Sequence, residues 1–227
     1  MKKLALFDFD NTLYKGLSIV DIAKQQAADS LLPKETFSQI ENLVAEYRQG
    51  IREYETTVRL LLEAWASGLA GEQYAVAVKT AQEVLRKPQA LFEFVPQLLD
   101  ELRETHALYL ITGSPNFTAE ASADLLNFDG YYASEFTVEK GKFTGELDAV
   151  LADREEKLGA VSKLLDQYGK EGSLAFGDSE GDIAMLETVE IPFGVNVTEG
   201  LREHGAERSW HLETPDTICK SVQAILK

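Results

Sequence analysis

Leu4-Ala5-Leu6-Phe7-Asp8-Phe9-Asp10-Asn11-Thr12-Leu13 is a short apolar run that ends abruptly in two carboxylates two residues apart. The run reads as a buried strand, and alternation along an extended backbone sends residues i and i+2 to the same side. Asp8 and Asp10 therefore emerge together at a strand's carboxyl end, the place where open α/β sheets bind ligands. Two acids crowded there repel each other unless a cation joins them. Taken alone, the segment also reads as a solvated turn, because Asp and Asn favour turns through local hydrogen bonds.

Outward from this strand the chain changes character twice. From about Ser18 to Lys87 apolar positions recur at helical spacing, with Ile19, Ile22 and Ala23 in one set and Val44, Tyr47, Leu60, Leu61 and Ala64 in others. Pro33, Gly50 and Gly68-Leu69-Ala70-Gly71 punctuate this stretch into three to five helices, with no strand signal among them. After Pro88 strands and helices alternate. A helix from about Phe94 to Glu104 leads to a strand from Ala107 to Ile111, then to a helix from Asn116 to Leu126. A strand pair, Phe136-Thr137-Val138 and Lys142-Phe143-Thr144, is joined through Lys140-Gly141. A helix beginning near Asp153 and running to Tyr168 follows, then a strand from Ser173 to Phe176, a short helix near Asp182 to Leu186 and an apolar stretch from Ile191 to Val197. Such alternation predicts a parallel sheet with right-handed crossovers. The first strand belongs to it, with an all-helical insert before the second.

Composition narrows the function. The 227 residues, 44% of them hydrophobic, can build a globular core. A formal charge of −16 and a pI near 4.6 argue against nucleic acid and against an anionic membrane as partners. The single cysteine, Cys219, excludes an intrachain disulfide framework and reads as a small buried residue near the end of a helix. Met1-Lys2-Lys3 runs straight into the first strand without a signal-peptide pattern, and no stretch reaches membrane-spanning length, so cytoplasmic residence is the expectation. Composition leaves the oligomeric state open.

Three strands end in polar, small residues of one kind: Asp8 and Asp10, then Thr112-Gly113-Ser114, then Gly177-Asp178-Ser179-Glu180-Gly181-Asp182. In a parallel sheet these ends share an edge and can converge. Together they offer carboxylates to a hard cation such as Mg²⁺ and hydroxyl and N–H donors to an anion, for which phosphate is the best match. Each signal alone is also an ordinary turn or helix cap. Their order along the chain is what makes them specific.

Asp8-x-Asp10-x-Thr12, Thr112-Gly113, Lys157 and Gly177-Asp178-x-x-x-Asp182 resemble the four motifs of the haloacid dehalogenase superfamily, and within it the phosphoserine-phosphatase-like branch. The resemblance implies a Rossmann-like parallel sheet sandwiched by helices, formed by residues 1–14 and 88–227, with an inserted all-helical C1-type cap at 15–87. It implies a Mg²⁺-dependent phosphomonoester phosphatase for a small phosphorylated metabolite, with Asp8 as nucleophile and transient aspartyl-phosphate and Asp10 as general acid and base. Mg²⁺ would be held by Asp8, the backbone carbonyl of Asp10 and Asp178, with Asp182 supporting either the metal or the lysine. Thr112, Gly113 and Lys157 would bind phosphate. Read without the resemblance, Lys157 is a lysine early in a helix that reaches solvent.

The cap departs from the branch. The glutamate that phosphoserine phosphatases carry after the first motif falls on Leu17, and their cap arginine falls near Leu61, with Arg59 close by. Gly181 stands where an asparagine often precedes the last aspartate. These departures point away from phosphoserine. Tyr14, Lys15 and Arg59 are the leading candidates for specificity, with Arg48, Arg52 and Trp65 behind them. Two rivals remain. A receiver-like phospho-switch also gathers strand-end acids, a hydroxyl and a lysine, but such modules are shorter and lack a helical insert. A serine hydrolase could use Ser179 in Gly177-x-Ser179-x-Gly181, with His204 or His211 and Asp182 or Asp216, yet it leaves Asp8, Asp10 and Thr12 idle.

Overall fold

The computed structural model describes residues 2–151 and 154–226. The helix start expected near Asp153 lies outside the described residues. Strand β1 (Lys3–Phe7) is followed by four helices, α1 (Ser18–Ala28), α2 (Lys34–Arg48), α3 (Tyr54–Gly68) and α4 (Tyr74–Leu85). The chain then alternates through α5 (Val95–Arg103), β2 (His106–Pro115), α6 (Asn116–Leu126), β3 (Gly130–Glu139), β4 (Lys142–Ala149), α7 (Arg154–Tyr168) and β5 (Leu174–Gly177). A 3₁₀ turn (Glu180–Asp182) leads into α8 (Ile183–Thr188), β6 (Ile191–Val195), α9 (Glu199–Glu207), β7 (His211–Glu213) and α10 (Ile218–Leu226).

The strands form one sheet in the order β4-β3-β2-β1-β5-β6-β7. All neighbours are parallel except β3 and β4, which form an antiparallel hairpin at one edge. Its turn, Lys140-Gly141, has positive φ at both residues, the backbone that a tight hairpin twisting with its strands requires. The hairpin is longer than the three-residue strands the sequence suggests. β2 also continues past Ile111 to Pro115, through a register irregularity, so Thr112 and Gly113 lie within a strand that the sequence ended before them.

Alternation on β1 builds the two sides of the sandwich. Ala5 and Phe7 join one buried cluster with α5, α6, α10 and the four inserted helices, and Leu4 and Leu6 join a second with α7, α8 and α9. Across β1, β5, β6 and β7 runs an aromatic ladder of register partners: Phe7 on Phe176 (4.6 Å), Phe176 on Phe193 (5.0 Å) and Phe193 on His211 (4.8 Å). Stacked rings of this kind are each worth about 0.5–1.5 kcal/mol beyond the area they bury. The ladder fixes β1 against β5 directly beneath Asp8 and Asp178.

The inserted helices are tied to the sheet. Trp65 of α3 is fully buried, meets Phe117 and Phe136 edge-on at 5.4 and 6.3 Å, and donates its indole N–H to Gln26 Oε1 at 2.7 Å. The segment before α4 pairs with β4: Gly71 N–H reaches Phe143 O (2.8 Å), Phe143 N–H reaches Glu72 O (3.0 Å) and Tyr74 N–H reaches Gly141 O (3.0 Å). This short pairing covers a strand edge that would otherwise present open hydrogen-bonding groups. Cys219 corrects the sequence reading: it sits at the start of α10, half-buried, with its thiol 3.8 Å from Phe94 O. Among the described residues, no helix is long and apolar enough to cross a membrane.

Candidate active site

β1 and β5 each deliver an aspartate one residue beyond their last rung, Asp8 and Asp178. The Asp8 N–H still donates to Phe176 O at 2.9 Å, so the two strand ends stay locked together. After β5 the chain turns back on itself. A Cβ on Gly177 would come within 2.5 Å of the Asp182 Cβ, so only glycine lets Asp182 fold under the strand end. There Asp182 Oδ2 accepts the N–H groups of Asp178 (3.1 Å) and Ser179 (3.2 Å) and the Ser179 hydroxyl (3.3 Å). Its Oδ1 accepts the Lys157 ammonium at 2.8 Å. Lys157, in the first turns of α7, is 2% exposed and also lies 3.6 Å from Asp8 Oδ1.

Carboxylate oxygens of Asp8, Asp178 and Asp182 lie within 4.8 Å of one another. Burial, and then the charge of Asp182, push the Asp8 carboxyl well above the usual range, with Lys157 pulling the other way. Asp178 is pushed up to about 8, by burial first and then by Asp182 and Asp10. Burial alone would lower Lys157, but Asp182 and Asp8 outweigh it and hold its ammonium above the ordinary lysine value. One lysine thus faces more negative charge than it offsets. An all-oxygen, over-anionic set of this kind fits a hard divalent cation. Of the three, Asp8 and Asp178 could donate to such an ion, because both Asp182 oxygens are spent on Lys157 and the turn.

Asp10 is held by a helix. Its Oδ1 accepts the Ser18 N–H at 2.7 Å, and Ser114 Oγ lies 3.5 Å from its Oδ2. Ser18 opens α1, whose flanking Leu17 provides no side-chain cap, so Asp10 satisfies one of the helix's unpaired N–H groups at its positive end. Burial raises the Asp10 carboxyl to about 6 against the hydrogen bonds from Ser18 and Ser114. A carboxyl poised there can both give and take a proton near neutral pH.

These groups share a cavity of about 290 Å³ with Thr112, Gly113 and Ser114 of β2. Thr112 Oγ1 accepts the Ser114 N–H at 3.2 Å. The inserted helices supply much of the remaining wall, including Tyr47 and Arg48 from α2 and Tyr54, Thr57, Val58 and Leu61 from α3. Three specificity candidates fall elsewhere. Tyr14 is buried with its hydroxyl on Asp21 (2.6 Å), because the turn after β1 folds its ring into the core against Phe9. Lys15 is exposed over the Phe92 ring, and Arg59 is exposed one position beyond the cavity-facing Val58. Trp65 fills the core and Arg52 pairs with Glu46, whereas Arg48 does line the cavity, as do Leu17 and Leu61. Tyr47, Tyr54 and Ser18 were not singled out as site residues by sequence, and Ser114 was named with Thr112-Gly113 but not as a partner of Asp10. The signal for the tyrosines was helical phase: Tyr54, Thr57, Val58 and Leu61 are spaced i, i+3, i+4, i+7, and Val44, Tyr47 and Arg48 follow i, i+3, i+4.

Ser179 has no histidine beside it among the described hydrogen bonds. Its hydroxyl turns to Asp182, while His204 bonds Glu187 at 3.0 Å and His211 stacks on Phe193. The serine-hydrolase arrangement is therefore not assembled.

A family model described as haloacid dehalogenase-like hydrolase matches residues 5–187. A phosphoserine phosphatase from Archaeoglobus fulgidus is 23% identical over 205 residues, which cover 89% of this chain and 55% of that protein. The chain thus spans about half the length of this relative. A phosphoserine phosphatase from Methanocaldococcus jannaschii is 24% identical over 189 residues, 82% of each chain. A solved structure described as a phospho-aspartyl intermediate analogue of phosphoserine phosphatase shares the fold at a TM-score of 0.66, with 21% identity over 89% of this chain and 90% of that one.

Proposed function

The chain belongs to the haloacid dehalogenase-like hydrolases, and from that premise we propose that it is a Mg²⁺-dependent phosphomonoester phosphatase acting through an aspartyl-phosphate on Asp8. The observation that carries this reading is the buried meeting of Asp8, Asp178 and the Lys157–Asp182 pair at one sheet edge, with Asp10 held apart by Ser18. A structure described as a phospho-aspartyl intermediate analogue of phosphoserine phosphatase shares the fold. The substrate is a small phosphorylated metabolite, and residues 15–87 serve as the cap that closes over it.

An Asp8 oxygen attacks phosphorus as the phosphorus–oxygen bond to the alcohol breaks, and Asp10 gives its proton to the departing oxygen. Asp10 then takes a proton from water, whose oxygen attacks phosphorus and breaks the bond to Asp8, releasing inorganic phosphate. Burial makes ionised Asp8 costly, and Lys157 at 3.6 Å supplies part of the compensation. Mg²⁺, held by Asp8, the Asp10 backbone carbonyl and Asp178, would neutralise charge between carboxylate and phosphate. Thr112 and Gly113 offer a hydroxyl and an N–H to the phosphate oxygens. Lys157, anchored by Asp182, keeps nucleophile and phosphate together. Phosphoryl transfer is mainly such positioning and charge stabilisation.

The test is phosphate release from a panel of small phosphomonoesters with and without Mg²⁺, comparing wild type with Asp8→Asn. Mg²⁺-dependent release that the substitution abolishes supports the reading. No release from any ester, with stable phosphorylation of Asp8, would favour a phospho-switch instead.

A further inference from the structure

Resting on the phosphatase reading, we propose that the group esterified to phosphate is uncharged and largely apolar, and that Leu17, Val58 and Leu61 select it. The cavity lining divides by chemistry. Asp8, Asp10, Asp178 and Lys157 form the charged end, whereas the helical insert contributes Leu17, Ile19, Val44, Val58 and Leu61, with Tyr47, Arg48, Tyr54 and Thr57 among them. Leu61 is 3% exposed and Val44 7%, and Leu17, Ile19 and Val58 are half-buried, so the wall runs from the interior towards the mouth of the cavity. An apolar cavity of about 150 Å³ is large enough for benzene. The 290 Å³ here therefore suits phosphate together with a short alkyl or small aromatic group.

Charged leaving groups find little to neutralise them on that wall, whose polar groups besides Arg48 are the neutral Tyr47, Tyr54 and Thr57. Among the described residues, the carboxylates lining the cavity are Asp8, Asp10 and Asp178, all at the end that carries the chemistry. A substrate ammonium against the leucines would lose water without gaining a carboxylate partner, which is costly. The helical wall carries a single cation, Arg48, and its side chain is exposed, where a pairing with a substrate anion contributes little. Beside the cavity, past the Tyr47 and Tyr54 rings that meet edge-on at 5.8 Å, lies a groove bearing Glu53, Glu55 and Glu180. Those carboxylates repel a second anionic group on the substrate.

Calorimetric titration of the full chain with Mg²⁺ and the non-hydrolysable methyl-, ethyl-, butyl- and phenylphosphonates, and with 2-amino-3-phosphonopropanoate, tests this directly. Release from the matching phosphate esters is measured alongside. Affinity is expected to rise about fourfold per methylene from methyl towards butyl. The butyl and phenyl compounds should bind at least about tenfold tighter than the amino acid analogue, which must bury an unpaired ammonium. Leu61→Asn should shrink the butyl-to-methyl ratio towards one. A flat alkyl series, or tightest binding by the amino acid analogue, would overturn the proposal. The expected ranking of phosphonates with no release from any ester would uphold the apolar pocket and remove the phosphatase reading. Release from every ester without any ranking would do the reverse.

Discussion

Asp178 gives the site a pH signature with a definite sign. In the metal-free chain it is pushed up to about 8 by burial and then by Asp182 and Asp10, well above the ordinary value of about 3.9. Its raised pKa favours the folded state at low pH, and that contribution is lost as pH rises from about 4 to about 8. Metal-free Asp178→Asn should therefore gain thermal stability over wild type progressively across that window, and no gain at pH 8 would contradict the crowding of acids described above. A cation must displace the same proton, so Mg²⁺ affinity measured calorimetrically should rise from pH 6 to pH 8 with proton release, and level off above it. Lys157→Ala should lower kcat by about a hundredfold to a thousandfold, the usual cost of losing a well-placed electrostatic group. Steady-state rates on any turned-over ester decide it, and a loss under tenfold would return Lys157 to a structural role. At this scale the aspartates were legible because each follows an apolar run, and a strand's alternation says where such residues emerge. The burial of Lys157 was not, since a lysine early in a helix normally extends to water and its partners come from β1 and from the turn after β5. The interplay of Asp10 with Ser18 was hidden for a related reason: a helix N-terminus lacking its own cap is visible in sequence, but the acid that serves it is not.

Among the elements, α3 does two jobs at once. Tyr54, Thr57, Val58 and Leu61 face the cavity, while Trp65 and Ala66 pack into the shared core. Trp65→Ala should cost about 3–5 kcal/mol by urea unfolding, the range for losing a large buried aromatic, and it also strips Gln26 of its indole partner. A cost under about 1 kcal/mol would mean that the helices sit on the sheet without depending on this anchor. The sequence disclosed that the insert is helical but not how each helix is rotated. Successive helical residues turn by roughly a quarter of a circle, so Arg59 points away although Val58 faces the cavity. Tyr14 and Lys15 were named as specificity candidates, yet the tight turn between Phe9 and Tyr14 sends one into the core and the other outward. The aromatic ladder beneath the site was equally invisible, because Phe7, Phe176, Phe193 and His211 become neighbours only when the strand order is known.

At the scale of the molecule, strand–helix alternation was enough for the sheet and its inserted helices. The three-residue β7, with no apolar run of its own, and the tie between the 71–74 segment and β4 came only with the structure. The net charge of −16 has a kinetic consequence that no single residue carries. An anionic ester is repelled on approach, so kcat/KM should rise as added NaCl shortens the screening length from about 30 Å at 0.01 M to about 8 Å at 0.15 M. A fall over that range would show that Lys157 and Arg48 steer the substrate more strongly than the surface repels it. In the proposed reading, the fold, the ladder and the buried acids together prepare one event, the transfer of a phosphoryl group to Asp8. Rapid acid quenching of the chain with Mg²⁺ and a turned-over phosphomonoester, followed by mass spectrometric mapping, looks for it directly. A phosphoryl group should appear transiently on the peptide bearing Asp8, accumulate in Asp10→Asn and be absent in Asp8→Asn. Phosphate release by Asp8→Asn at the wild-type rate, or phosphorylation confined to another residue, would contradict it.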